Sequence, residues 1–198
     1  MKSDEMTINL TKPKLEGDMS LEETIQKRRS VRSFSGEDLT LEEVSQLCWA
    51  AQGITGKRRP LRSAPSAGAR YPLEVYLIQK GGTFHYIPEG HKLERISGED
   101  LRSELSAQAL GQSPVKDAAL DIVIAAVYDR VSSKYGERGR RYSDIEAGHA
   151  AQNIHLQAVA LGLGSVPMGA FDDDGVKDLL GLADNEEPIY IIPVGHPK

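Results

Sequence analysis

The sequence predicts an α+β fold, and three observations carry that reading: capped amphipathic helices near the start, a glycine-turned hairpin, and two unbroken apolar runs separated by a long helical stretch. Strict strand–helix alternation is absent, which disfavours a doubly wound parallel sheet. Ser20 with Glu23, and Thr40 with Glu43, each set a hydroxyl three residues before a glutamate, the reciprocal arrangement that satisfies orphan amides at a helix start. In the second helix Leu41, Val44, Leu47, Cys48 and Ala51 share one apolar face, and Gly53 offers a stop. Residues 73–79 and 83–88 are rich in β-branched and aromatic types, and Gly81 and Gly82 between them supply the positive φ angles of a tight hairpin turn. Residues 121–128 and 188–194 read as central strands covered on both faces. Residues 143–161 read as a mostly buried helix, with shorter helices at 99–109 and 174–180.

With 198 residues, 39% hydrophobic and 27% charged, the chain has the make-up of a soluble globular protein able to bury a core. One domain is expected over 19–198, preceded by an arm over 1–18 that either packs on a partner chain or frays. A formal net charge of −5 argues against broad nucleic-acid binding. The single cysteine, Cys48, cannot form an internal disulfide, which fits a reducing cytoplasmic setting. The first seventeen residues have no unbroken apolar run of the kind a secretory signal needs, and no segment approaches the roughly 20 apolar residues that span a bilayer.

Arg28, Arg29, Ser30 and Arg32 end the first helix, and planar guanidinium forks there could converge on a phosphate, or simply be a solvated basic helix end. In the loop Pro65, Ser66, Ala67, Gly68, small residues would let backbone amides approach a flat or anionic ligand closely. Gly162 to Gly169 imitates a dinucleotide fingerprint, but it follows a helix instead of opening one, and Gly162 reads as a left-handed helix cap. Glu146 and His149 have di-iron spacing, yet such sites need two copies, so His149 reads as a hydrogen-bonded histidine inside a buried helix. No metal is expected: His149 and His155 are poorly spaced, and Asp172, Asp173 and Asp174 suit a helix cap better than a calcium loop. Two basic stretches, at 57–62 and 138–141, read as solvated loops able to attract an anionic reductant. Neither a nucleophilic triad nor a carboxylate pair is evident.

Taken together, RRSVRSF at 28–34, LTLEEVSQLCWAAQGI at 39–54, PSAGARYPLEVYL at 65–77, the stretch at 135–164, GAFDDD at 169–174 and PIYIIPVGHP at 188–197 resemble the nitroreductase superfamily, specifically its SagB-type dehydrogenase branch. The resemblance implies a mainly antiparallel sheet flanked by helices, built as an intertwined homodimer with two FMN molecules at the interface. Carried over, it puts Arg28, Ser30 and Arg32, with Arg29 adjacent, on the flavin phosphate and ribityl chain. It sends Pro65, Ser66, Ala67 and Gly68 to the partner's flavin and lays Pro167, Met168, Gly169 and Ala170 along the ring system. Lys198 is the one late basic candidate for the phosphate, and Ala69 stands where other classes carry an asparagine. The implied activity is ping-pong transfer from NADH or NADPH to a quinone, nitroaromatic or similar acceptor, with flavin carrying the chemistry and no catalytic side chain required. Two alternatives follow: oxidation of peptide azoline rings, with Lys134 and Tyr135 or Tyr142 assisting, and flavin binding without turnover.

Overall fold

Apolar strands must pair their backbone amides and carbonyls, and here that requirement is met in one antiparallel sheet. The structure, a computed structural model, describes residues 7–198; residues 1–6 of the expected arm lie outside the described residues. In chain order the elements are β1 (Thr7–Asn9), α1 (Leu21–Lys27), α2 (Leu41–Gln52), β2 (Leu73–Gln79), β3 (Gly82–Ile87), β4 (Lys92–Ser97), α3 (Arg102–Gln108), α4 (Ser113–Asp117), β5 (Leu120–Val127), α5 (Asp129–Tyr135), α6 (Arg138–Ala160), β6 (Gly164–Ser165), α7 (Asp173–Leu180) and β7 (Glu186–Gly195). The strands lie in the order β1-β4-β3-β2-β5-β7-β6.

Side chains of a strand alternate between faces, so a central strand feeds two cores. Ile122 and Ile124 of β5 meet Leu47 and Cys48 of α2 and Ala147, Ala150 and Ile154 of α6 on one face. Val123 and Ala125 meet Leu105 of α3, Val115 of α4 and Leu180 of α7 on the other. Every residue of β5 is buried, as its apolar run predicts, and β2 and β7 flank it.

The predicted elements appear with shifted ends, and the shifts have local causes. At α2 the capping box is complete: the Glu43 amide donates to Thr40 Oγ1 at 3.2 Å, and the Thr40 amide donates to Glu43 Oε2 at 2.7 Å. At α1 only half forms, because the Glu23 carboxylate turns instead to Lys27 one turn ahead, at 2.6 Å. In the hairpin turn Gly82 alone has positive φ, at 127°. Gly162 is left-handed, φ 74°, and Asp172 caps α7, as expected.

Two readings are corrected. The basic stretch at 138–141 is the first turn of α6, not a loop; Gly139 packs so tightly on α5 that a Cβ there would lie 2.4 Å from Ser132 Oγ. His149 is exposed rather than buried, along with Asp144, Ile145, Gly148 and Gln152, while the buried histidine of α6 is His155. The helix thus has a solvent stripe that its alanine-rich composition conceals. The short β1, β4, β6, α4 and α5 go unpredicted. β4 carries Lys92, Glu94 and Arg95, and only pairing with β3 and β1 makes it a strand. Residues after β1 lie along the chain's own α2, the Thr11 amide donating to Ser45 Oγ at 3.0 Å and the Lys14 amide to Gln46 Oε1 at 2.9 Å.

Leu47 is fully buried between α6 and the sheet. Leu47→Ala should lower unfolding free energy by about 2–5 kcal/mol in denaturant titration, the usual cost of a large core cavity.

Candidate functional site

The arginine segment follows α1 and is held from two sides. Arg28 is the α1 cap, its amide donating to the Thr24 carbonyl at 2.9 Å. Two residues on, Ser30 pairs in parallel with Ser165 of β6, and the Val31 amide donates to the Ser165 carbonyl at 3.0 Å. Close approach here demands Gly164, since a Cβ would lie 2.6 Å from Val31 Cγ1. Beyond it the chain runs against its own C-terminus: the Ser35 amide donates to the His196 carbonyl at 2.9 Å, and the Lys198 amide to the Ser33 carbonyl at 3.2 Å. Lys198, the predicted late cation, is thereby brought beside Arg32 and Ser33.

Below this segment lies a buried histidine that the sequence did not single out for a role. Arg28 Nη1 is 3.0 Å from His155 Nε2. A guanidinium only donates, so Nε2 must be the acceptor, the ring proton sits on Nδ1, and Nδ1 donates to Ser165 Oγ. His155 is therefore neutral and fixed in tautomer. Burial, then the Arg28 charge, hold its pKa down at about 4. The imidazole orients Arg28 without neutralising it. Arg29 turns back onto helix carbonyls, at 3.0 Å from the Gln26 oxygen and 2.6 Å from the Arg28 oxygen. Ser30 and Arg32 are exposed. No carboxylate ion-pairs with Arg28, Arg29 or Arg32 among the described residues, so the segment keeps its positive charge.

The run 167–170 begins two residues beyond Ser165. Met168 bridges Ile191, with amide–carbonyl distances of 2.8 and 3.0 Å, and its side chain packs in the second core. Pro167 is half-buried, Gly169 and Ala170 are exposed, and the Ala170 carbonyl accepts from Gln112 Nε2 at 2.9 Å.

The loop of Pro65, Ser66, Ala67 and Gly68 stands elsewhere. Gly68 has φ 63°, and a Cβ on it would meet the Tyr135 hydroxyl at 2.8 Å and Lys134 Nζ at 3.1 Å. Ala69 and Tyr71 also have positive φ, at 53° and 47°, and the Tyr71 amide closes the loop onto Ser66 Oγ at 2.8 Å. Glu146 of α6 is only 2% exposed, and neither of its carboxylate oxygens is hydrogen-bonded. Burial pushes its pKa up to about 7. Glu146 and His155 are nine residues apart on one helix, about 13 Å along the axis and half a turn round it. A single chain thus displays the arginine segment and the small-residue loop on opposite sides of α6.

The Nitroreductase family model matches residues 25–196. The chain belongs to the nitroreductase family. It is 41% identical over 195 residues to a protein of Methanocaldococcus jannaschii named as a nitroreductase, covering 96% of each chain. It is 26% identical over 189 residues to the FMN reductase (NADPH) of Bacillus subtilis, covering 88% of this chain and 65% of that protein. A crystal structure from Ralstonia eutropha, described as a nitroreductase, superposes with TM-score 0.89 at 30% identity, covering 100% of this chain and 92% of that one. The α+β architecture of an antiparallel sheet flanked by helices is that of the family, and this nitroreductase-family chain is an oxidoreductase. Among the described residues no helix is long and apolar enough to cross a membrane, and no three metal-ligating side chains cluster.

His155 makes stability acid-sensitive. Its folded pKa lies below the unfolded value near 6.5, so the stabilisation is complete above that value and drains as pH falls toward about 4. Melting temperatures of wild type and His155→Gln, compared over that interval, should converge as pH falls.

Proposed function

We propose that the protein is an FMN-dependent oxidoreductase, acting as a homodimer, that takes electrons from NADH or NADPH and passes them in ping-pong order to a quinone, nitroaromatic or similar electron-poor acceptor. The observation that carries this reading is the cationic segment from Arg28 to Arg32, backed by a neutral His155 and joined by Lys198. A charge-assisted fork held in place by a neutral donor–acceptor pair suits a phosphate monoester.

The residues fit flavin mononucleotide on the chain's own geometry. Arg28, Ser30, Arg32 and Lys198 would hold the phosphate and sugar chain, with Arg29 contributing charge from the helix end. Gly169 and Ala170 offer exposed backbone with little side chain, reached from the phosphate segment through β6, while Pro167 and Met168 anchor that backbone to the sheet. When bound, FMN supplies the two-electron exchange between nicotinamide and acceptor. The side chains bind, orient and exclude water. The name of the Bacillus subtilis relative, an FMN reductase (NADPH), supports both the cofactor and the reductant.

The dimer is supported by what one chain leaves uncovered. Leu21 and Ile25 of α1 are 61% and 55% exposed at neighbouring helical positions, and Ile145 of α6 is 47% exposed beside Gly148, whose open face would admit a second helix closely. The placement of Pro65, Ser66, Ala67 and Gly68 away from the arginine segment suits a loop that serves the partner's site. Aqueous cytoplasm is the setting in which NADH or NADPH is available to such an enzyme.

A specific observation favours one second reading, oxidation of azoline rings in a peptide as in SagB-type dehydrogenases. Lys134 Nζ and the Tyr135 hydroxyl both stand over Gly68, where a lysine–tyrosine pair could remove a ring proton; Tyr142 packs edge-on against Tyr135 at 5.3 Å.

The purified protein should be a yellow dimer by absorbance and light scattering, and anaerobic NADH or NADPH should bleach it near-stoichiometrically. A flavin left unbleached by either nucleotide, but bleached by an azoline peptide, would move the assignment to the second reading; flavin bleached by neither marks binding without turnover. Arg28→Ala and Arg32→Ala should each weaken FMN binding roughly 10- to 100-fold, the loss expected for one charged hydrogen bond. A colourless protein that takes up no added FMN sinks the proposal.

A further inference from the structure

We propose that Leu110 is a specificity-determining residue of the acceptor site, an apolar wall beside the exposed backbone of Gly169 and Ala170 that selects flat, uncharged acceptors. Its placement stands on geometry; its use by an acceptor rests on the function proposed above.

Helix α3 ends in a hydrogen-bonded turn that fixes the conformation of the next residue. The Ala109 amide donates to the Leu105 carbonyl at 2.8 Å and closes the last α-helical turn, and the Gly111 amide then reaches back to the Ser106 carbonyl at 2.8 Å. That closure requires a left-handed residue just before Gly111, where glycine is usual because it has no Cβ to crowd the backbone. Leu110 stands there instead, with φ 59°, and Gly111 follows with φ 72°. Packing does not account for the leucine: Ala109 before it is fully buried, whereas Leu110 is 71% exposed. The apolar contact that often accompanies such a turn would join residues 106 and 111, here a serine and a glycine. A strained backbone carrying an exposed apolar side chain serves neither helix nor core, and strain of this kind collects at ligand sites.

The turn is tied to the run assigned to the flavin ring. Gln112 Nε2 donates to the Ala109 carbonyl at 3.0 Å and to the Ala170 carbonyl at 2.9 Å, so the carbonyl preceding Leu110 lies within about 6 Å of the one that ends the run. The Ser106 hydroxyl donates to the Gln112 carbonyl at 3.0 Å and holds Gln112 to the helix end. Just past the run the Asp172 amide donates to the Gln108 carbonyl at 2.8 Å, and the Gln108 side chain lies against Gly175 of α7, where a Cβ would collide with Oε1. Leu110 is thereby anchored on both flanks while its side chain stays in solvent. Gly169 and Ala170 are exposed and offer almost no side chain, so the apolar surface for a flat ring must come from a neighbour. Leu110 supplies it. An uncharged ring gains by leaving water for that surface, whereas a charged acceptor would lose hydration there without a partner.

The full chain carrying FMN, as wild type, Leu110→Gly and Leu110→Ala, tests this with two acceptors: an uncharged naphthoquinone, and hexacyanoferrate(III), which is charged and has no apolar face. Both variants should lose roughly tenfold in kcat/KM for the naphthoquinone, the worth of a few methyl-sized contacts. Their kcat/KM for hexacyanoferrate(III) and for the nicotinamide nucleotide, which binds largely through its phosphates, should change by less than about threefold. The Kd of the naphthoquinone for the oxidised protein, read from the flavin spectrum without reductant, should rise by the same roughly tenfold factor. Without FMN, Leu110→Gly should melt no lower than wild type, because glycine relieves the left-handed strain and no packing is lost. Level naphthoquinone constants, an equal fall for all three substrates, a lower melting temperature in Leu110→Gly, or dissociation of a wild-type dimer in either variant each overturn the proposal, the last two by making Leu110 a packing or subunit contact. A chain that takes up no FMN fails the cofactor assignment and this proposal together; one that binds FMN with level naphthoquinone constants fails this proposal alone.

Discussion

The burial of α6 is the constraint on which the rest of the molecule depends. Ala147, Ala150, Ala151 and Ala158 are small enough to let this helix pack closely on both α2 and the sheet, and close packing excludes water from everything else the helix carries there. Two polar side chains go in with the alanines. Glu146 and His155 enter the same low-dielectric layer on opposite sides of the axis, and desolvation drives both toward neutrality: the acid titrates higher, the base lower.

Neutrality has different uses at the two ends. At His155 it leaves a ring nitrogen able to accept from Arg28, so a cation is aimed at solvent without an anion cancelling it. At Glu146 it leaves a buried carboxyl with no hydrogen-bond partner. A charged histidine would repel Arg28. The paired strands matter as much, because β6 and the residues after β7 clasp the arginine segment from either side and bring Lys198 to it across the whole length of the chain.

Much of the fold was legible because local chemistry and final environment agree. The Thr40 box, the β5 run and the Asp172 cap are each consistent at every level, from residue type to packing. The misreadings occur where composition and environment part. His149 and His155 share a helix, and only the packing of that helix decides that the first faces water and the second faces Arg28. Residues 138–141 look like a solvated basic loop, yet Gly139 on Ser132 turns them into helix. A charged strand such as β4 has no signal until its neighbours supply hydrogen bonds.

Residue types and their order suffice for the inventory: an α+β chain, its capped helices and central strands, an arginine segment, a small-residue loop, and an ordered set of motifs matching one family. Those properties are local or cumulative along the chain, so they survive without coordinates. Which of these pieces meet depends on the folded chain. Whether Lys198 reaches Ser33, which histidine steadies Arg28, and that Glu146 is buried without a hydrogen-bond partner all follow from long-range packing, in which desolvation and backbone pairing join residues that no spacing rule connects.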